Sequence, residues 1–214
     1  GIGKRMQLAV SHEQPVILPL VAYYGTGRLW NQKKMTAKKV GDSEFYSRTS
    51  GYQDCLDPAS SYKLFNDWFV YASKGDFYLR NQQRERLGSN YVEVETAYSP
   101  LIAAIRKAVD ACLQITGWSN LHYSFFHQGV VMEHSTHGFL EVNQLSDGVR
   151  NMIALVADIA YRMVRLNSSF GRDAVCQTPG LVMIDEVDMH LHPEWQQIVL
   201  SHLTTAFPKL QFVV

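Results

Sequence analysis

Asp185 and Glu186 are adjacent carboxylates that follow directly on a short run of apolar and small residues, Gly180–Ile184. A carboxylate pair of this kind can bind a divalent cation or accept a proton. A run so short, bounded by turn residues, is typical of a strand buried on both faces. Because ligands of open α/β sheets bind at the carboxyl ends of the strands, the sequence predicts a ligand site after Ile184.

A second candidate site lies upstream, where Leu145, Ser146, Asp147 and Gly148 lead into a long amphipathic pattern. Ser146 has the right type for a helix N-cap, and Gly148 lets a ligand approach the backbone closely. The N–H groups and the dipole at a helix start favour an anion such as phosphate. An ordinary capped helix explains the same residues equally well, so this stretch alone leaves both interpretations open.

Two further patterns are weaker indications of a ligand site. The buried-strand candidate Pro15–Tyr24 ends in the glycine turn Gly25–Arg28. This turn could approach a phosphate, but it is also an ordinary way to end a strand. The four histidines between residues 122 and 137 lack cysteine partners and a known ligand spacing, which does not favour a zinc site.

The spacing of apolar residues predicts the elements that position these candidates. Steps of three and four residues indicate helices over residues 60–86, 99–117, 146–167 and 193–207. Ser99 and Ser146 are the predicted N-caps of two of them. Alternation of period two, with Leu121, Tyr123 and Phe125 on one side, predicts a half-buried strand that returns through tight turns.

A β-α-β unit is expected around the carboxylates. The strand before Asp185, the helix that begins at Pro193 and the apolar run Leu210–Val214 follow one another in sequence. This order predicts a parallel sheet with a right-handed crossover. Residues 168–179, just upstream of the strand, are polar and are predicted to form a loop.

The composition limits the class of protein. The 214 residues are 46% hydrophobic, which is enough for a real core. Twenty basic and twenty acidic residues give a formal net charge of +0, so no global basic field draws the chain onto nucleic acid. The three cysteines lie far apart and are expected to be free thiols. Without a signal peptide or an apolar run of about 18 residues, we expect a soluble cytoplasmic protein with no membrane contact.

Taken together, the two main motifs resemble those of ABC-type ATPases. The strand ending in Asp185 and Glu186 resembles a Walker B motif, and Leu145–Arg150 resembles the signature motif that precedes it in such proteins. Longer stretches, YYGTGRLW, SRTSGYQDCLDP, LSDGVRNMIALVADIAYR and TPGLVMIDEVDMHLHPEWQQ, resemble a bacterial group of RecF/SMC-like AAA and ABC-type ATPases. This group is related to the OLD family and includes the ATPases of Septu-type and retron-linked anti-phage systems.

The resemblance implies a fold and a division of the chain. The expected fold is a partial ABC-type P-loop NTPase domain of the α/β class, with a parallel-sheet core, a helical insertion and a small antiparallel β element. Residues 1–30 would supply a core strand and a Q-loop-like turn, and residues 31–117 a mainly helical insertion. Residues 118–214 would supply the signature helix, the Walker B strand, the D-loop and the following helix and strand.

By the same resemblance, ATP and Mg²⁺ are the expected cofactors, bound between two subunits. Asp185 would hold Mg²⁺, and Glu186 would act as the catalytic base toward the attacking water. Ser146 and the Gly148 backbone would bind the γ-phosphate from across a homodimer or a higher homo-oligomer. The other residues that the resemblance assigns to nucleotide binding are Leu145, Asp147 and, within the D-loop Val187–His192, Asp188.

Two features of the family pattern do not occur in this sequence. No GxxxxGK[ST] motif is found, and no switch histidine follows the last apolar run, because the sequence stops at Val214. The simplest expectation is that the sequence begins after the P-loop and stops before the switch histidine. We therefore expect these residues by themselves to bind ATP poorly and not to hydrolyse it.

Three functions are compatible with these motifs. The first is anti-phage defence, in which the ATPase controls an HNH-type nuclease partner and DNA or RNA is a candidate ligand. The second is a RecF/SMC-like role in DNA repair, and the third is a non-catalytic, nucleotide-sensing regulatory module. A stand-alone nuclease is less favoured, because no further acidic cluster accompanies Asp185, Glu186 and Asp188.

Overall fold

The computed structural model describes residues 16–26, 47–57, 62–90, 92, 95–189 and 191–214. The strands are β1 (Leu20–Tyr24), β2 (Trp118–Ser124), β3 (Gly129–His134), β4 (Gly138–Glu141), β5 (Gly180–Ile184) and β6 (Leu210–Val213). The α-helices are α1 (Tyr62–Leu87), α2 (Ser99–Leu113), α3 (Asp147–Leu166), α4 (Ala174–Gln177), α5 (Pro193–Gln196) and α6 (Val199–Ala206). Short 3-10 helices, Arg48–Tyr52 and Ser168–Asp173 among them, connect these elements. No helix in these ranges is long and apolar enough to cross a membrane.

A parallel sheet has the strand order β1–β5–β6, and the carboxylate pair follows the carboxyl end of its central strand, β5. β1 and β5 pair from Leu20 opposite Gly180 to Tyr24 opposite Ile184, and β5 and β6 are parallel as well. Gly180 is required at the start of β5, because a Cβ there would lie 2.3 Å from the carbonyl oxygen of Leu20. The expected α/β class and the parallel sheet are confirmed.

The two faces of this sheet differ in burial, because side chains alternate along a strand. The residues of one face are at most 2% exposed: Leu20, Ala22, Tyr24, Val182 and Ile184. The residues between them are half-buried or exposed, and Val21 is 37% exposed. The expectation that the strand before Asp185 is buried on both faces is therefore wrong for the described residues. Their helices fully bury only the face that holds Tyr24.

Helix α3 runs antiparallel to β1, and a polar contact at each end of the strand fixes that direction. Near the start of β1, Asn167 accepts a hydrogen bond from the Leu18 amide at 2.9 Å and donates one to the Leu18 carbonyl at 2.8 Å. At the end of β1, the Tyr24 hydroxyl donates to Asp158, in the middle of α3, at 2.8 Å. The first turns of α3 therefore extend beyond the carboxyl edge of the sheet.

A buried ion pair joins α3 to its neighbours. Arg162 Nε donates to Asp158 Oδ2 at 2.7 Å, and the two side chains are 1% and 3% exposed. Arg162 Nη1 also donates to the carbonyls of Gly51 and Gln53. Burial is the largest single influence and lowers the pKa of Arg162, but the charge of Asp158, its hydrogen bond and the nearby Tyr24 and Cys55 together outweigh burial and raise that pKa. Arg162 is therefore charged, and it ties the 3-10 helix Arg48–Tyr52 to α3.

The second sheet is antiparallel, of order β2–β3–β4, and confirms the small antiparallel element. The alternation predicted for its first strand holds only in part. Leu121 is fully buried, but Phe125 lies past the end of β2 and is 49% exposed. The register of β2 against β3 shifts between Ser119 and His122, where Asn120 has a left-handed φ of 55°. An irregularity of this kind redirects the side chains that follow it.

Most predicted helices are confirmed, but the helix expected from Pro193 is interrupted. α5 ends at Gln196 and α6 begins at Val199. Between them, the Ile198 amide donates to the Trp195 carbonyl, three residues back, at 3.1 Å, which tightens the turn. The predicted loop over residues 168–179 also differs, because it contains a 3-10 helix and α4.

The two serines predicted as N-caps make no capping hydrogen bond. Ser99 is the first residue of α2 and not its cap, and its hydroxyl donates to Asp76 Oδ1 at 2.5 Å. The same hydroxyl accepts a hydrogen bond from the Thr96 amide at 2.9 Å. Ser146 does occupy the cap position of α3, but its side chain makes no cap hydrogen bond and is exposed. The two hydroxyls therefore contribute differently to stability.

Replacing Arg162 by Met is expected to destabilise the intact protein by about 3 to 5 kcal/mol, because it leaves the Asp158 carboxylate buried without its cation. Urea unfolding followed by circular dichroism measures the change. The control is Arg172→Met, which removes an ion pair with Glu95 whose side chains are 59% and 56% exposed. The control should lose less than about 1 kcal/mol. Equal losses would contradict a structural role for the buried pair.

Replacing Ser146 by Ala is expected to leave the thermal unfolding midpoint unchanged, because its side chain makes no cap hydrogen bond. The matched variant Ser99→Ala should destabilise the protein by about 1 to 2 kcal/mol, because it leaves the half-buried Asp76 and the amide of buried Thr96 with one bond fewer. Differential scanning calorimetry of the intact protein compares the two. A loss in Ser146→Ala as large as that in Ser99→Ala would contradict this view of the α3 start.

Candidate functional site

Asp185 lies at the carboxyl edge of the parallel sheet, one residue past the end of β5. Its amide donates to the Tyr24 carbonyl at 2.8 Å, which continues the β1–β5 ladder by one step. Its side chain is exposed. The structure thus places this carboxylate where the sequence predicted it, at the edge where ligands of open α/β sheets bind.

The chain turns at Glu186, which has a left-handed φ of 48°. The Met189 amide then donates to the Glu186 carbonyl at 2.9 Å, and the Leu191 amide donates to the Asp188 carbonyl at 3.1 Å. On a continuing strand, adjacent side chains would point to opposite faces of the sheet. The turn removes that constraint, and both carboxylates of the pair are exposed at the same edge. Asp188 is exposed as well. Leu191 is only 7% exposed, and its side chain packs in the core and anchors the end of the loop.

Tyr23 of β1 is a site residue that the sequence reasoning missed. Its hydroxyl donates a hydrogen bond to Asp185 Oδ2 at 2.5 Å. This bond to the carboxylate raises the pKa of Tyr23, because the bond is lost when the phenol loses its proton. The signal in the sequence was the doublet Tyr23-Tyr24 at the end of a predicted strand. Alternation must send one ring into the core and the other to the opposite face.

The start of α3 presents a hydroxyl and backbone groups. Ser146 and Asp147 are exposed, and Gly148 is half-buried. Leu145 is 6% exposed and its side chain packs in the core, so only its backbone can meet a ligand. Asp147 forms an ion pair with Arg150 on the same turn. The amides of the first turn of a helix have no partner within the helix, which suits them to an anion.

The carboxylate pair and the α3 start lie beyond the same sheet edge but are separated within one chain. Asp185 is level with Tyr24, and Tyr24 reaches Asp158. Ser146 precedes Asp158 by twelve residues, which corresponds to about 18 Å along a helix axis. A single phosphate group does not span that distance. The predicted site residues therefore form two groups, and one chain does not bring them together.

Among the described residues, the carboxylates suit a cation that takes its remaining ligands from a bound phosphate or from water. No group of three His, Cys, Asp or Glu among them lies close enough to hold a metal ion. Mg²⁺ with a bound nucleotide commonly uses one or two carboxylates and takes its other ligands from phosphates and water. The exposed carboxylate of Asp185 provides a donor of this kind. The donor set thus suits a metal–nucleotide complex better than an all-protein metal centre.

Parts of two predicted loops lie outside the described residues. They are Gly27 and Arg28 of the turn after β1, and His190 of the D-loop. The parts that are described, Gly25 with Thr26 and Val187–Met189, begin at the sheet edge that carries the carboxylates. The roles expected for the turn Gly25–Arg28 and for the D-loop Val187–His192 stay predictions.

Comparison with known proteins shows similarity over part of the chain. No protein-family model matches it. Over 75 residues the chain is 44% identical to the Retron Vc95 probable ATPase of Vibrio cholerae serotype O1 biovar El Tor, covering 35% of this chain and 14% of that protein. The Retron Ec83 probable ATPase of Escherichia coli gives the same identity and coverage. The Septu protein PtuA of Bacillus mycoides (strain KBAB4) is also 44% identical over 75 residues, which cover 35% of this chain and 10% of that protein.

The similarity covers only part of this chain and only part of each relative. A Septu protein PtuA from Bacillus thuringiensis is 31% identical over 83 residues, and the match covers 20% of its length. The matched stretches thus span 10% to 20% of these curated relatives. They relate about a third of the chain (35%) to retron proteins named as probable ATPases and to a Septu protein.

Proposed function

We propose that the intact protein is an Mg²⁺-dependent ATPase of the ABC type that acts in bacterial anti-phage defence. The observation that carries this proposal is the carboxylate pair Asp185–Glu186 at the sheet edge, with a phosphate-suited start of α3 beyond the same edge. An ATPase site needs both groups: a metal ligand with a base, and donors for the γ-phosphate. The names of the relatives support the ATPase assignment and the link to retron and Septu systems.

The carboxylates would divide the chemistry between them. Asp185 would bind Mg²⁺, directly or through water, and Mg²⁺ would neutralise charge on the phosphates of the nucleotide. Glu186 would orient the attacking water and accept its proton. The turn at Glu186 supports this division, because it ends the alternation that would send the two side chains to opposite faces of the sheet.

Two chains would complete each ATP site, because one chain keeps its two groups apart. The α3 start extends about 18 Å along the helix axis from the level of Asp185. In a head-to-tail homodimer, Ser146 and the amides near Gly148 of one subunit would meet the γ-phosphate held by the other. Such a dimer repeats the contact by its two-fold symmetry and forms two equivalent sites. Asp188 would lie in the loop between the metal carboxylate and that interface.

The relatives favour defence over DNA repair as the biological role. Two of them carry the word retron in their names and another carries Septu. In such a system the ATPase would act as the regulator, and an HNH-type nuclease would be the effector that it controls. A gene for such a nuclease is expected beside the gene for this protein. A neighbourhood made up of recombination and repair genes would contradict the defence assignment.

Replacing Glu186 by Gln in the intact protein is expected to lower ATP hydrolysis by at least about 100-fold while nucleotide binding persists, because the general base is lost. Single-turnover hydrolysis and binding of a fluorescent ATP analogue measure the two effects separately. The control is Glu194→Gln on α5, which makes the same change of carboxylate to amide in a side chain that is 76% exposed. Unchanged hydrolysis in Glu186→Gln would overturn the assignment of the base.

Mixing two inactive variants of the intact protein tests whether the α3 start acts across subunits. Glu186→Gln and Ser146→Arg should each be inactive alone. Together they should recover about a quarter of wild-type activity, because half of the random dimers are mixed and each mixed dimer has one intact site. The double variant mixed with wild type is the control: its mixed dimers have no intact site, so the mixture keeps only the roughly one quarter of activity that its wild-type homodimers supply. If the α3 start acts within its own chain, the two single variants will not complement each other.

A further inference from the structure

We propose that Tyr23 is a positioning residue for the metal ligand Asp185 and sets the Mg²⁺ requirement of the site. This inference rests on the function proposed above and adds a residue to it. Its basis is the hydrogen bond that the Tyr23 hydroxyl donates to Asp185 Oδ2 at 2.5 Å. The two residues are 162 positions apart in the sequence, so only the fold brings them together.

The backbone around Tyr23 is fixed from both sides. Its amide donates to the Cys55 carbonyl at 2.7 Å, on the side of β1 away from β5. On the other side it lies opposite Met183 in the parallel ladder, and the next carbonyl, that of Tyr24, accepts the Asp185 amide at 2.8 Å. These contacts fix the position of the Tyr23 backbone and therefore of the Cβ from which its side chain extends. Its hydroxyl therefore approaches the carboxylate from one direction.

The two tyrosines at the end of β1 have different partners. Tyr24 is 2% exposed and donates to Asp158 of α3 within the core. Tyr23 points to the opposite face of the sheet, where it meets Asp185. The core is therefore complete without the Tyr23 hydroxyl. Removing that hydroxyl alters the surroundings of the carboxylate and leaves the α3 anchor intact.

A donor on a carboxylate that binds metal has a known effect. Hydrogen-bonding partners behind a ligand fix its orientation, and their loss commonly weakens metal affinity or activity by about 10- to 100-fold. Each carboxylate oxygen offers more than one lone pair, so the bond from Tyr23 and a metal bond can exist together on Asp185. Tyr23 would thus hold the carboxylate in one orientation before Mg²⁺ arrives. This lowers the entropy lost on binding.

The test uses the intact protein with Tyr23→Phe, a change that keeps the ring and removes the hydroxyl. ATP hydrolysis is measured against Mg²⁺ concentration at saturating ATP. The half-maximal Mg²⁺ concentration should rise about tenfold or more, while the rate at saturating Mg²⁺ stays close to that of the wild type. Mn²⁺ binding in the presence of a non-hydrolysable ATP analogue, followed by electron paramagnetic resonance, gives a second readout without turnover.

Tyr52→Phe is the matched control, because the Tyr52 hydroxyl donates to the Pro19 carbonyl at 2.6 Å and not to the carboxylate. It should leave the half-maximal Mg²⁺ concentration unchanged. An unchanged Mg²⁺ requirement in Tyr23→Phe overturns the inference. An equal fall in rate at every Mg²⁺ concentration also overturns it, since that is the behaviour of a purely structural contact. Wild-type protein without Mg²⁺-dependent hydrolysis, or Asp185→Asn with a normal Mg²⁺ response, overturns the proposed function itself and this inference with it.

Discussion

The hydrogen bond from Tyr24 to Asp158 is the contact on which the geometry of the whole sheet edge depends. It fixes α3 to β1 at the level of the carboxylate pair, while Asn167 fixes the other end of the same helix to Leu18. Asp158 also forms a buried ion pair with Arg162, and Arg162 in turn donates a hydrogen bond to the 3-10 helix Arg48–Tyr52. A buried carboxylate with these partners has a single favourable arrangement, because any other leaves a charge unpaired in the core.

This constraint explains why one chain carries two separated groups. With its middle held at the end of β1, α3 must extend its first turns past the sheet edge and away from its own carboxylates. Ser146, the exposed cap residue of α3, lies at the far end of these turns. In the proposed ATPase, assembly would be the step that unites the groups. Dimerisation and catalysis would then be linked by the rigid antiparallel packing of one helix on one strand.

Apolar periodicity predicted the elements well, because it reports burial directly. The apolar steps predicted α3, and the helix buries the residues at those steps among others: Met152, Ile153, Val156, Ile159, Ala160 and Met163. Contacts between distant segments were not predictable in the same way. The bond of Ser99 to Asp76 on α1 displaced the expected N-cap, and the bond of Tyr23 to Asp185 depends on the register of two strands. The register of two strands distant in the sequence cannot be read from either strand alone. The sequence shows only which residue types are available to be paired.

The left-handed backbone at Glu186 affects which substitutions this position favours. A residue with a Cβ in that conformation costs about 1 kcal/mol relative to glycine. Glycine is thus the residue that the backbone of this turn alone favours. With a glutamate at this position, the turn carries local backbone strain together with a carboxylate. In the proposed ATPase, a change of Glu186 to glycine would remove the base and relieve this backbone strain at the same position.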